Sequence, residues 1–290
     1  MTRRCVFHGG ILLLLLALVA PARAGERAPA HPQRIVSINL CADILALELA
    51  APGTVKSVFR VTADPEDSPV AALAQRIPLN NATAEEILSY KPDLVLAHNF
   101  SSPFTLALLA RAHVPVVKVQ EAATFDDVRA NVRRVAAALG ERARGEAWIA
   151  RFDAALAASA RPMTARAPRA VIYQDMGGAA AANTILGALL EHAGFENVVK
   201  QGASGGFVNL TIEDLIAERP DFVAIGVYRA HEPSLAHQIL QHPALKDYVA
   251  HHARTMDLPA RLWTCGTPFV ADIALRLAAA RDAFDRPGIN

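Results

Sequence analysis

The feature that most constrains the fold is a short phrase that occurs twice in the chain. Residues 85–95 read EEILSYKPDLV and residues 213–223 read EDLIAERPDFV. Each copy has a helical pattern, a Pro-Asp pair at which a helix ends, and the start of an apolar strand. The repeat therefore predicts that one α/β unit is built twice.

A helical pattern separates the two copies. Residues 125–160 contain no proline, and their apolar side chains recur at three- and four-residue steps, which is typical of an amphipathic helix. Gly140 marks a break or stop within the pattern, and Pro162 ends it because proline disfavours helical geometry in the residue before it. We expect this segment to join the two units.

The predicted fold class is α/β, with two Rossmann-like lobes that have parallel sheets, are joined by a single long α-helix and enclose a ligand cleft. Strand and helix patterns alternate on both sides of the joining segment, as expected for parallel βαβ units. The predicted division is residues 32–140 for the first lobe, 141–162 for the linker helix and 167–290 for the second lobe. Hydrophobic residues make up 52% of the 290 residues, enough for two cores, and the net charge of +1 argues against a nucleic-acid partner.

The first residues have the pattern of a secretory signal peptide, predicted to span residues 1–24. Arg3 and Arg4 precede the apolar residues 11–20, and Ala22-Arg23-Ala24 is a cleavage site of the small-x-small type. The apolar stretch is too short for a membrane anchor, and Gly25 stands where a lipoprotein has its cysteine. We therefore expect cleavage near Ala24 and a soluble, monomeric protein in the periplasm.

Ligands of open parallel sheets bind beyond the carboxyl ends of the strands, so the loops at that edge hold the candidate site. Aromatic side chains there can cover a flat ligand, and arginines can pair with an anionic one. The candidate ligand-binding residues are Asn39, Cys41, Arg60, His98 and Asn99 in the first lobe, and Tyr173, Phe207, Tyr228, Arg229, Trp263 and Thr264 in the second.

Together, these features resemble the substrate-binding proteins of ABC importers that carry cobalamin or ferric siderophores. The resemblance rests on residues 34–37, on both copies of the phrase and on Leu262-Trp263 before the last helix. It implies a periplasmic protein, not an enzyme, that captures a metal chelate (a ferric siderophore, a cobalamin-type corrinoid or haem) and delivers it to a transmembrane permease. It implies no cofactor and no metal site formed by the protein alone.

The resemblance also implies roles for particular residues. Glu85 and Glu213, each seven residues before the proline of its phrase, correspond to glutamates that dock onto permease arginines in the family. Trp263 matches a family aromatic residue that contacts the ligand. Where cobalamin binders have aromatic residues in the first lobe, this chain has Arg60, Asn80 and His98.

Three alternatives remain open from the sequence. Cys41 and Cys265 can form a disulfide, bind a soft metal or stay as two small buried residues. A direct zinc or manganese carrier would need three or four ligands from both lobes, and only His98 is well placed for that. The pattern around Ser204 (GASGG) also matches the nucleophile elbow of serine hydrolases, although an elbow needs a strand directly before it and a helix directly after it.

Overall fold

The computed structural model describes residues 30–200, 206–228 and 235–285. Its strands are β1 (Ile35–Ser37), β2 (Val55–Phe59), β3 (Leu79–Asn80), β4 (Leu94–His98), β5 (Val116–Val119), β6 (Arg169–Gln174), β7 (Gly178–Ala180), β8 (Glu196–Asn197), β9 (Phe207–Asn209), β10 (Phe222–Val227) and β11 (Arg254–Pro259). Its α-helices are α1 (Leu40–Leu49), α2 (Ala71–Ala74), α3 (Ala84–Ser89), α4 (Pro103–Arg111), α5 (Phe125–Leu139), α6 (Arg142–Ser159), α7 (Ile185–His192), α8 (Ile212–Ala217), α9 (Pro243–His252), α10 (Ala260–Trp263) and α11 (Val270–Phe284). Short 3₁₀ helices cover Arg60–Ala63, Asp175–Gly177 and Leu235–Gln241.

Two sheets confirm the predicted α/β class. The first has the order β3-β2-β1-β4-β5, and all of its pairs are parallel. The second has four parallel strands in the equivalent order β8-β6-β10-β11. Each sheet and its helices form one lobe. Among the described residues, no helix is both long and apolar enough to cross a membrane.

The second sheet is mixed, which corrects the prediction of two parallel sheets. Strand β7 runs antiparallel to both β6 and β9. The reversal occurs at Met176 and Gly177, which have φ angles of 61° and 80° in the left-handed region. This tight turn sends the chain back along β6.

The two copies of the repeated phrase form the same local structure. In the first lobe, the Asp93 carboxylate accepts the backbone N–H of Arg34 at 2.9 Å, and the Arg34 guanidinium donates to the carbonyl of Tyr90. In the second lobe, Asp221 accepts the N–H of Arg169 at 2.8 Å, and Arg169 donates to the carbonyl of Glu218. The Pro-Asp pair thus anchors the end of a helix to the start of the neighbouring strand in both lobes.

The joining segment consists of two helices, separated at Gly140, where the sequence indicates a break or stop. Helix α5 ends at Gly140, whose φ of 77° is in the left-handed region that glycine adopts without a steric penalty. The N–H of Glu141 then bonds to the carbonyl of Ala136 at 2.8 Å, which closes the last turn. Helix α6 starts a new axis and is the element that connects the lobes.

Helix α6 packs against both hydrophobic cores. Trp148 and Ile149, near its middle, belong to the core of the first lobe. Phe152 and Leu156, one turn later, belong to the core of the second lobe. The domain boundaries at residues 140 and 162 stay predictions, but the helix between them has its apolar stripe divided between the two cores.

A disulfide connects the lobes directly. Cys41, in the first turn of α1, is bonded to Cys265, between α10 and α11, with their Cα atoms 5.2 Å apart. Next to it, a Cβ on Gly266 would lie 2.4 Å from the Cβ of Ala122, so the backbone approach there requires a glycine. We call this contact region, formed by Cys41, Cys265, Gly266 and Ala122, the seam.

Removing the disulfide is expected to destabilise the protein. The bond closes a loop with a sequence separation of 224 residues, and a cross-link of this kind lowers the entropy of the unfolded chain. The double variant Cys41→Ala/Cys265→Ala should therefore lose about 2–5 kcal/mol of unfolding free energy, measured by urea denaturation. Reducing agent should lower the wild-type midpoint and leave that of the variant unchanged; equal midpoints for the oxidised wild type and the variant would refute the expectation.

Candidate functional site

A cavity of about 600 Å³ lies between the lobes, at the carboxyl ends of the strands. This volume is in the range of sites for small molecules and cofactors. Its wall is formed by Asn39, Leu40, Cys41, His98, Phe100, Val119, Gln120, Glu121, Ala122 and Ala123 from the first lobe and the segment after β5, and by Asn183, Thr184, Ile185, Leu186, Gly206, Tyr228, Trp263, Thr264 and Gly266 from the second lobe.

Two aromatic residues belong to the part of the wall on the second lobe. Trp263 is 8% exposed, and its indole N–H donates to the carbonyl of Leu258 at 3.1 Å, which fixes the ring at the end of β11. Tyr228 follows β10 and meets the Trp263 ring edge to face, with centroids 5.5 Å apart. The neighbouring parallel strands β10 and β11 therefore bring both rings to one place, where they present a rigid apolar surface.

His98 and Phe100 form the facing wall on the first lobe. His98 is the last residue of β4, and its Nδ1 accepts the backbone N–H of Phe100 at 3.3 Å. Their ring centroids are 5.1 Å apart, and Phe100 is 74% exposed. Burial lowers the pKa of His98, so the imidazole is neutral at pH 7.

The N-termini of two helices also contribute to the cavity wall. Asn39 caps α1 by accepting the N–H of Cys41, and Thr184 caps α7 by accepting the N–H of Gly187. Helix N-termini carry partial positive charge. Among the described wall residues Glu121 is the only one with a formal charge, so the helix ends supply the positive potential where no lysine or arginine does.

Six of the eleven candidate ligand-binding residues border the cavity: Asn39, Cys41, His98, Tyr228, Trp263 and Thr264. Arg229 and the side chain of Phe207 lie outside the described part of the chain. The roles of all these residues in binding stay proposals, because their position shows only that they border the cavity.

Three predicted site residues lie away from the cavity wall. Tyr173 is fully buried, and its hydroxyl donates to the carbonyl of Leu210 at 3.0 Å; side chains alternate along β6, so its ring enters the core on the other face of the sheet. Arg60 is exposed at the start of a 3₁₀ helix. Asn99 is exposed and donates to the Gln120 side chain at 2.7 Å, so it supports a wall residue without lining the cavity.

The candidate residues named from the sequence do not include the wall residues 120–123, after β5, or the exposed Phe100. A signal for the segment exists in the sequence, because the apolar residues of β5 are typical of a strand and the carboxyl end of a parallel strand lies at the ligand edge. Thr184, the N-cap of α7, also borders the cavity and is not among the candidate residues named from the sequence.

Comparison with known proteins agrees with this architecture. Residues 35–254 match the family model described as periplasmic binding protein. The chain belongs to the periplasmic binding protein family. Members of this family are non-enzymatic components of transport, found in the periplasm.

Individual relatives bind different ligands. A cobalamin-binding protein of Halobacterium salinarum is 29% identical over 202 residues, which is 68% of this chain and 54% of that protein, so the chain spans about half the length of this curated relative. The apo haem-binding protein RhuT of Roseiflexus sp. RS-1 has a TM-score of 0.70 at 24% identity, over 88% of this chain and 99% of RhuT. The vitamin B12-binding protein BtuF of Vibrio cholerae has a TM-score of 0.62 at 16% identity, over 89% of this chain and all (100%) of BtuF.

The predicted docking residues of this periplasmic binding protein occupy matching positions. Glu85 and Glu213 are both exposed residues in the first turn of a helix, α3 and α8, and both follow a threonine by two positions. Neither glutamate borders the cavity. Each therefore stands on its own lobe, separate from the candidate ligand site.

The two alternative classes gain no support from the described residues. Within residues 30–200, 206–228 and 235–285, no group of three or more His, Cys, Asp or Glu side chains is arranged to hold a metal ion. Ser204, on which the hydrolase alternative depends, lies outside the described residues.

Asp43 holds in place the helix that carries two residues of the cavity wall. It is fully buried in the first turn of α1, where one carboxylate oxygen accepts the backbone N–H of Phe59 at 2.8 Å and the hydroxyl of Thr62. These bonds tie α1, which carries Asn39 and Cys41, to the end of β2. Burial raises the pKa of Asp43 to about 7, although the hydrogen bonds oppose the shift.

The raised pKa of Asp43 predicts a pH dependence of stability. The folded state holds this proton up to about pH 7, whereas the unfolded chain releases it near the ordinary pKa of 3.8, so stability falls as pH rises between these values. Asp43→Asn keeps the acceptor oxygen but cannot titrate, and should remove about 4 kcal/mol of the pH-dependent change in unfolding free energy. Urea denaturation from pH 4 to 8 measures the difference; parallel curves for the two proteins would contradict it.

Proposed function

We propose that this protein captures a metal chelate in the periplasm and delivers it to the transmembrane permease of an ABC importer. The observation that carries the proposal is the cavity between the lobes, with one pair of rings on each side: Tyr228 and Trp263 facing His98 and Phe100. The ligand classes proposed are ferric siderophores, cobalamin-type corrinoids and haem.

The character of the wall supports a large, flat or rounded ligand with little net charge. Ring faces bury apolar area, while neutral polar groups such as Gln120, Asn183 and Thr264 can orient the ligand's periphery. A strongly anionic ligand would need arginines, and Arg60 lies away from the wall.

Export is part of the same proposal. A signal peptide over residues 1–24, cleaved near Ala24, would release a soluble monomer into the periplasm, where the family is found. The disulfide at the seam suits an oxidising compartment of this kind.

Glu85 and Glu213 are proposed to dock onto permease arginines. Two carboxylates on separate lobes give a two-point contact that sets the orientation of the whole protein on its partner. Within the described residues neither carboxylate has an ion pair, so both are available to a partner.

Charge reversal separates docking from ligand capture. The variant Glu85→Arg/Glu213→Arg should bind ligand as the wild type does, because neither residue borders the cavity, and should abolish uptake in cells that depend on the importer. Ligand affinity is measured by fluorescence titration with cyanocobalamin, ferrioxamine and haemin, and uptake by growth on the chelate that binds.

A matched control reverses two other exposed glutamates, one from α6 and one from α7. The variant Glu146→Arg/Glu191→Arg changes the net charge equally and breaks only a surface ion pair with Arg133, so uptake should continue. Normal uptake by Glu85→Arg/Glu213→Arg, or equal loss of uptake in the control, would refute the docking assignment. Failure of the wild type to bind any chelate would refute the proposed ligand class.

A further inference from the structure

His98 is the one histidine among the described residues of the cavity wall. It is 6% exposed, so nearly all of the ring is shielded from bulk water. A histidine beside a metal chelate has two opposite uses: its unprotonated nitrogen can coordinate the metal, or its N–H can donate a hydrogen bond to an oxygen of the chelate. The two uses require different protonation of the ring.

The backbone of the loop after β4 determines which of these two uses is possible for His98. The backbone N–H of Phe100 can only donate, and it points to Nδ1 of His98 at 3.3 Å. Nδ1 must therefore carry a lone pair, and the proton of the neutral ring is on Nε2. Rotating the ring by 180° would place a carbon atom against the Phe100 N–H and lose the bond.

Nε2 is available to the ligand. No hydrogen bond joins it to any other residue in the described part of the chain. For Nε2 to coordinate a metal, the proton would have to move to Nδ1, where it would face the Phe100 N–H. Coordination through this nitrogen would therefore break the contact that shapes the loop.

The loop geometry makes that contact costly to lose. The N–H of His98 donates to the Ser101 hydroxyl at 3.0 Å, and the N–H of Ser101 donates to the carbonyl of His98 at 3.0 Å. Together with the Phe100 contact, these bonds form one compact turn around His98. The ring is held by its own loop, so its protonation is set before a ligand arrives.

We propose that His98 recognises the ligand as an Nε2–H donor, so that the cavity selects a chelate by an oxygen acceptor at its periphery and leaves the chelated metal uncoordinated by this residue. The ligand class that fits is a chelate whose metal has a complete coordination sphere and whose rim has amide, hydroxamate or carboxylate oxygens. The inference rests on the proposed function, because it assumes that a metal chelate occupies the cavity.

The nearby groups agree with an acceptor-rich ligand rim. The N-termini of α1 and α7 border the same cavity and favour partial negative charge. The helix ends belong to both lobes and the His98 N–H to the first, so acceptors on two sides of the ligand can be satisfied in the cavity.

Two isosteric variants of His98 test the proposal. In His98→Asn the side-chain oxygen can still accept the Phe100 N–H, but the donor at the Nε2 position is lost. In His98→Gln an amide N–H reaches the Nε2 position. For whichever of cyanocobalamin, ferrioxamine and haemin the wild type binds, His98→Asn should weaken binding about tenfold and His98→Gln by less than about threefold. The visible spectrum of the bound chelate should be the same in all three proteins.

Other results would overturn the proposal. These are equal affinity loss in both variants, no loss in either, or a metal absorption band present only with the wild type. A band that Tyr228→Phe abolishes and both His98 variants keep would come from a tyrosinate ligand and would leave the proposal standing.

A ligand-free measurement keeps this inference distinct from the proposed function. Long-range ¹H–¹⁵N correlation spectra of the wild-type protein should show His98 with a protonated Nε2 and an unprotonated Nδ1. A protonated Nδ1 would overturn the proposal even if a chelate binds. Absence of binding by all three probes with the expected protonation would instead reject the metal-chelate function, and with it the assignment of His98 to chelate recognition.

Discussion

The cavity depends on the seam, which holds the two lobes together and forms part of the cavity wall. The Cys41–Cys265 bond joins α1 of the first lobe to the segment before α11 of the second, and the contact of Gly266 with Ala122 brings the backbones together beside it. Because Cys41, Ala122 and Gly266 also line the cavity, the constraint and the site share atoms. The distance between the aromatic walls is therefore set by covalent and close-packed contacts and leaves little freedom for wide opening.

Helix α6 is a second connection between the lobes, in addition to the seam. Its Trp148 packs in the first core and its Phe152 in the second, and Phe269 at the start of α11 contacts both cores. A shear of one lobe against the other would disrupt all of these contacts at once. We expect ligand capture to involve small adjustments of rim groups such as Phe100, with the lobes nearly fixed.

The sequence was sufficient for the class of fold because its signals were local and repeated. The Pro-Asp phrases, the apolar strands and the helical pattern after residue 125 each describe one element, and the repeat links them. The sequence was not sufficient for elements whose formation depends on contacts in the folded protein. The reversal at Met176 that creates β7 depends on two left-handed residues, of which only Gly177 is suggestive in sequence. Helix α9 is hard to find from the sequence because Pro243 and the histidines around it resemble a loop, although proline suits a first helical turn.

The site was partly predictable for the same reasons. The rule that ligands lie at the carboxyl ends of parallel strands found His98, Tyr228 and Trp263. The rule could not tell which side of the sheet Tyr173 faces, and it could not show that the Phe100 N–H determines the protonation of His98. Similarly, the sequence left the pairing of Cys41 with Cys265 open, since two cysteines so far apart become neighbours only when both lobes are folded.

The central claim is that the cavity between the lobes holds a metal chelate. Native mass spectrometry of the protein isolated from its own periplasm, combined with visible absorption of the same sample, tests it most directly. The account predicts a one-to-one complex whose added mass and spectrum are those of a corrinoid, a ferric chelate or haem, and which is lost on unfolding. A protein that carries only a bare metal ion, or that stays ligand-free in the presence of all these chelates, would contradict it.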